Sequence, residues 1–286
     1  MFDPHLVTAA HGHVHQIDVV TDLLHGYYDS ITTVGDVFSN TVLGLGVADR
    51  LDGEIVSVDG QTWRIPASGV PVIAEPDLGM PFAISAEGGT SINIELAPGT
   101  TQDQIATIVE QEIHRQHDNL HPIAAVRLDG TFTHVLFRSE HKQDPPFEHL
   151  DQVLRHEVLF PFDKWQGTLV GFSFPQANND QSTIPGLHLH AISQDRTSGG
   201  HSHQATSDNA RLQIWLDDVD VVIPQSRITH ALDVLRKVAE HGGPEQREQA
   251  VDLIEHLQST NANAQDFAEA IALHDAYLHD PYLEKT

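Results

Sequence analysis

Between residues 41 and 139 the chain alternates short β-branched runs with Asp-Gly pairs at 52–53, 59–60 and 129–130. Asp-Gly accepts left-handed backbone at both central positions of a tight hairpin turn. The pattern therefore commits "TVLGLGVADRLDGEIVSVDGQTWRIPASG" to antiparallel strands, and predicts that "IAAVRLDGTFTHVLFRS" folds back at Asp129-Gly130. "GTLVGFSFP", "GLHLHAIS" and "LQIWLDDVDVVIP" read as further strands. Helical spacing is confined to a few segments. In "QIDVVTDLLHGYYDS" it links Ile17, Val20, Leu23 and Leu24 and stops at Gly26. In "GTTQDQIATIVEQEIHRQHDN" it places Ile105, Ile108, Val109 and Ile113 on one stripe, with Thr100 or Thr101 as cap. The last fifty residues are helical, with Gly242-Gly243-Pro244 ending the first of three helices. The fold class expected is α/β: a His-bearing leader (1–15), a β-rich mixed-sheet body (16–232) and a C-terminal helical extension (233–286).

Charge narrows the choice of partners. Forty-one acidic residues against fifteen basic ones give a net charge of −26, which repels phosphate backbones and anionic lipid, so neither nucleic acid nor membrane is an expected partner. An anionic substrate would need its own local positive charge. With no cysteine, disulfides, thiolate metal sites and thiol nucleophiles are excluded. The N-terminus lacks the basic start and apolar run of a signal peptide, and no apolar stretch approaches the roughly 20 residues that span a bilayer. A soluble cytoplasmic protein is expected.

Chemistry concentrates in "GLHLHAISQDRTSGGH", residues 186–201. Residues two apart on a strand share a face, so His188 and His190 project together while Leu187, Leu189 and Ala191 fill the other side. The turn-rich "SQDRTSGG" can bring His201 back over the pair. Three neutral imidazoles leave a metal ion its full charge and an open position, the catalytic pattern for zinc, although imidazole sites also take Ni, Cu or Fe. Other histidines fit less well. His11, His13 and His15 alternate within the leader, His114, His117 and His121 read as solvated helix surface, and His203 is a bystander. A cupin wants Glu where Gln194 and Asp195 stand, and a metallo-β-lactamase-type hydrolase wants Asp where Ile192 stands.

Several blocks in order resemble one family. "GTLVGFSFP…IPGLHLHAISQDRTSGGH" is similar to the metal-binding segment of the α-acetolactate decarboxylases, with its Gly-x-His-x-His strand and later Gly-Gly-His. "LDGTFTHVLFRSEHKQDPPF", "GLGVADRLDGEIVSVDG" and "LLHGYYDS" extend the likeness over roughly residues 16 to 202. The resemblance implies that family's fold, one zinc ion per chain held by His188, His190 and His201, and catalytic roles for Glu54 and Arg138. It also implies a C-terminal catalytic glutamate, for which "ALDVLRKVAE" offers Glu240, and a homodimer is the expected assembly. Departures are Ala191 in place of an aromatic, the "SAEGGTSIN" segment and the helical tail.

The implied reaction makes acetoin and CO2 from 2-acetolactate, a small anionic 2-hydroxy-3-keto acid. CO2 loss leaves an electron pair that must be delocalised onto the ketone oxygen, for which a divalent ion chelating ketone and hydroxyl oxygens is a ready sink. Arg138 can hold the substrate carboxylate with a planar two-toothed grip, and Glu54, with Glu240 second, can protonate the enediolate. Two other readings stand beside this one: a different metal-dependent lyase or hydrolase on the same scaffold, and a non-enzymatic metal-binding protein.

Overall fold

At Asp59-Gly60 the backbone takes φ of 55° and 73°, and Val58 pairs with Gln61 across the turn, the two-residue hairpin that the dipeptide predicts. The computed structural model describes residues 12–116, 123–174, 182–223, 225–259 and 262–279. Its first elements are β1 (Gly12–Ile17), α1 (Val20–Leu24), β2 (Thr32–Thr33), α2 (Val34–Phe38), β3 (Leu43–Val47), β4 (Glu54–Val58), β5 (Gln61–Ile65) and β6 (Val72–Ile73). There follow β7 (Gly79–Met80), β8 (Phe82–Ala86), β9 (Ile92–Leu96), α3 (Gln102–Gln116), β10 (Ile123–Ser139), α4 (Leu150–Val153) and β11 (Val158–Phe174). The chain continues with β12 (Gly186–Ser193), β13 (Gly199–Val222), α5 (Gln225–His241), α6 (Pro244–Leu257) and α7 (Ala264–Leu278).

The other two Asp-Gly pairs behave differently. Asp52-Gly53 closes a longer β3–β4 connection through left-handed Arg50 (φ 55°), Leu51 (φ 58°) and Gly53 (φ 105°). Asp129-Gly130 makes no turn: it lies inside the 17-residue strand β10, with Gly130 opposite Gly167 on β11 and Ala210 on β13. A Cβ on Gly130 would come within 2.2 Å of the Asn209 carbonyl oxygen, so glycine serves close strand approach there.

Strands β10, β11, β12 and β13 pair in succession, and β13 pairs back to β10, so the four close into a ring. From β13 the sheet runs on through β1, β8, β3, β4 and β5 to β6, with β1 parallel to β13 and the rest antiparallel. The sheet is mixed, as expected. Alternation divides the core: Ile123 and Ala125 face the cluster with Leu45, Val56 and Phe172, while Ala124, Val126 and Leu128 face α3. Helix α3 buries Ile105, Val109 and Ile113. Thr101 caps it, exchanging bonds with Gln104: the Gln104 backbone N–H donates to Thr101 Oγ1 (3.4 Å), and the Thr101 N–H to Gln104 Oε1 (2.9 Å).

Two boundaries differ from the sequence reading. Gln16 and Ile17 belong to β1, paired with Val221 and Val222, and Asp18 at φ 68° breaks the chain before α1, so the helix begins only at Val20. Residues 12–15 are thereby part of the sheet and not a leader; residues 1–11 lie outside the described residues. At the other end the helices begin at Gln225. Their core of Ala231, Leu235, Val238, Leu253, Phe267 and Ile271 also takes in Val19 of the body. No helix of the described residues is long and apolar enough to cross a membrane.

Candidate active site

Strand parity and register together assemble the site. His188 and His190 project from one face of β12, and Leu189 and Ala191 enter the α3-side core on the other. His190 stands opposite His201 in the β12–β13 pairing, and Arg138 opposite the same His201 in the β10–β13 pairing. Arg138, His201 and His190 therefore stand side by side across three neighbouring strands. Gly200 makes the approach possible: at φ +136°, a Cβ there would lie 2.4 Å from the Arg138 carbonyl oxygen.

The three imidazoles converge, with ligand atoms within 4.8 Å of one another. His190 Nδ1 lies 2.8 Å from the Ile55 carbonyl oxygen and donates to it, which leaves the Nε2 lone pair facing His188 Nε2 at 3.2 Å. At that distance a proton on His188 Nε2 or a shared cation must lie between the two nitrogens. His201 Nδ1 is buried and has no hydrogen-bond partner among the described residues. Burial is the main force holding all three histidines below their ordinary pKa. Arg138 adds to it at each, the neighbouring His190 adds to it at His188, and Glu54 opposes it at His190. Uncharged rings are the form that can ligate. The donor set, the orphaned nitrogen and the convergence of the three rings all fit a divalent ion.

Around Arg138 stand three carboxylates. Its Nη1 donates to Glu54 Oε1 at 2.9 Å and also meets Glu140, and its Nε lies 3.3 Å from Glu157 Oε2. Glu54, at the start of β4, reaches His190 Nε2 with its other oxygen at 3.3 Å. One guanidinium against three carboxylates leaves an excess of negative charge beside the imidazoles, which a divalent cation would offset. A cavity of about 150 Å³ joins these groups, walled by Val20, Leu23, Leu45, Val47, Phe82, Leu150 and Ile184. Apolar walls strengthen every charge interaction inside.

Glu240 is not brought here. It lies on the exposed face of α5 beside His241 (3.6 Å), because the opposite face of that helix, carrying Ala231, Val234, Leu235 and Val238, is the buried one. The carboxylate overlooked in the sequence is Glu140, two residues after Arg138 in "FRSEH"; strand alternation could have found it. Glu157 carries no such signal, since only the β10–β11 pairing of Ser139 with Val158 brings it near. Of the remaining histidines, His114 is on α3, His203 pairs with Glu157 at 3.1 Å, and His13 and His15 stack on β1; His11, His117 and His121 lie outside the described residues.

The family model for alpha-acetolactate decarboxylase matches residues 14–231. The chain belongs to this family. The alpha-acetolactate decarboxylase of Klebsiella aerogenes is 32% identical over 188 residues, 66% of this chain and 70% of that protein. The crystal structure of alpha-acetolactate decarboxylase from Bacillus subtilis strain 168 superposes with a TM-score of 0.68 at 25% identity, covering 74% of this chain and 89% of that one. Acetolactate decarboxylase of B. subtilis subspecies spizizenii shares the fold (TM-score 0.68, 23% identity) over 92% of this chain and 99% of its own. That coverage reaches past residue 231, so the C-terminal helices are in part common to the fold. As an acetolactate decarboxylase family member the chain is a carboxy-lyase, which sets aside the non-enzymatic reading. The departures from the family pattern fall away from the chemistry. Ala191 is fully buried in the α3-side core, and the segment after Ser85 leads into β9 against β13.

Proposed function

We propose that this acetolactate decarboxylase is metal-dependent, converting 2-acetolactate to acetoin and CO2 at the His188, His190 and His201 centre. The alignment of Arg138, His201 and His190 across adjacent strands supports this reading, because it puts the histidine triad beside a buried cation that can meet an anionic substrate. An ion held by the triad, zinc first and Ni, Cu or Fe as alternatives, would supply a Lewis acid to polarise the ketone oxygen.

The chain's own residues do the rest. Arg138 binds the substrate carboxylate through Nη2, which makes no hydrogen bond among the described residues. The two-toothed grip expected from the sequence gives way to a single donor, since Nη1 and Nε are held by Glu54, Glu140 and Glu157. Those ion pairs fix the guanidinium plane, making Glu140 and Glu157 positioning residues. The apolar walls desolvate the carboxylate, which favours its departure as uncharged CO2. When the carbon–carbon bond breaks, its electron pair passes into the enediolate. Glu54, a carboxylate in the free protein, takes up a proton from water in each turnover and delivers it to the carbon that lost CO2, giving acetoin. Glu240, exposed on α5, takes no part.

The test is to dialyse the protein against EDTA, add racemic acetolactate and assay acetoin, CO2 and metal per chain. Activity is expected to disappear with the ion and to return with zinc. Full turnover by metal-free protein would overturn the proposal.

A further inference from the structure

A second cluster of histidines lies where α7 meets the body. His25 is the C-cap of α1, His149 the N-cap of α4 and His279 the C-cap of α7, and all three surround Asp275. His149 Nε2 is 3.1 Å from Asp275 Oδ1 and His25 Nε2 is 3.6 Å from Oδ2, while His279 Nδ1, 3.4 Å from Oδ1, donates to the Asp275 backbone carbonyl at 2.9 Å, which leaves Nε2 as its ligating nitrogen. Ligand atoms of His149, Asp275 and His279 all fall within 4.8 Å of one another. The His25–His149 and His149–His279 rings stand edge to face, with centroids 5.4 and 5.5 Å apart.

We propose that His149, Asp275 and His279, with His25 on the second carboxylate oxygen, form a second site for a divalent transition metal. Bonds of roughly 2.0–2.1 Å in a tetrahedron place ligand atoms about 3.3–3.4 Å apart, close to the 3.1 Å between His149 Nε2 and Asp275 Oδ1. The tautomer of His25 points the same way. Its Nδ1 lies 2.7 Å from the Thr21 carbonyl oxygen and donates to it, so Nε2 turns a lone pair toward a carboxylate. That contact calls for a cation between them, a proton on Nε2 or a bound metal. His190 is oriented in the same manner by Ile55 at the first centre. Imidazole with carboxylate is a donor set for Zn, Ni, Co or Cu rather than for Ca or Mg. An ion bound here would clamp α7 to α1 and α4, whose Leu23 and Leu150 wall the substrate cavity. Its role is structural.

Full-length protein stripped with EDTA and titrated with Zn²⁺, with ions counted by mass spectrometry, tests the site. Two ions per chain are expected, falling to one in Asp275→Asn and in His279→Gln, the latter at an exposed position where folding is not at risk. His188→Ala/His190→Ala/His201→Ala should retain one ion, and its Co²⁺ complex should show visible absorption that Asp275→Asn added to that background abolishes. Zinc should raise the Tm of the parent by several degrees more than that of Asp275→Asn. An unchanged ion count in Asp275→Asn and His279→Gln, or a triad-free protein that takes up no ion, overturns the second site. Neither result touches the decarboxylase reading, which acetoin formation tests separately.

Discussion

The two histidine clusters teach different lessons about how a site is made. His188, His190 and His201 sit on two paired strands, share a face by alternation and are backed by a closed apolar core. His25, His149 and His279 cap three separate helices, stand between 20% and 66% exposed, and meet only because α7 folds back onto the body. The first is held rigid by the sheet and walled from water, so its groups can act on a substrate. The second is open and built from helix ends, which suits holding parts together.

Substitution at the first cluster should separate the two most sharply. His188→Ala is expected to remove one ion and reduce acetoin formation by at least about 10³-fold, while the second ion stays; metal analysis beside turnover checks this. Loss of both ions together would break the distinction. Arg138→Lys should come next, keeping both ions while kcat falls by roughly 10²–10³. A lysine cannot hold Glu54, Glu140 and Glu157 in the guanidinium plane and still present a donor to substrate.

The smallest effect concerns the other tie between body and helices. Arg227 of α5 meets Asp18 at 3.1 Å and Asp22 at 3.2 Å, both carboxylates being almost wholly buried. Burial, with Asp18 adding to it and Arg227 opposing, pushes Asp22 up to about 8. The native state therefore keeps a proton that the unfolded chain releases near pH 4. The stability this group contributes is present at low pH and declines as pH rises toward 8. Asp22→Asn escapes that decline. Its Tm relative to the parent should rise by a few degrees between pH 6 and pH 9, followed by circular dichroism with zinc present so that the second site is held constant. A flat difference would remove Asp22 from the junction's electrostatics.

How far the sequence could be read follows from the same contrast. Periodicity of two made His188 and His190 legible as a pair, and Asp59-Gly60 legible as a turn, because both depend on near neighbours alone. Asp129-Gly130 misled for the same reason: its dipeptide signals a turn, yet the glycine answers to Gly167 and Ala210 on other strands. Glu240 misled because a glutamate in a degraded motif carries no information about which helix face is buried. Ile17 read as helical until the parallel pairing with Val222 claimed it for β1.

By itself, then, the sequence determined a β-rich α/β body, the triad and its companions Glu54 and Arg138. Strand alternation and the ordered motif blocks are properties of the chain that need no distant partner to be read. Tertiary structure alone decided that Arg138 stands in register with His201, that Glu140 and Glu157 hold it, and that His25, His149, Asp275 and His279 gather at one junction. Those relations depend on strand register and helix docking, which are fixed by the burial of apolar faces far apart in the chain.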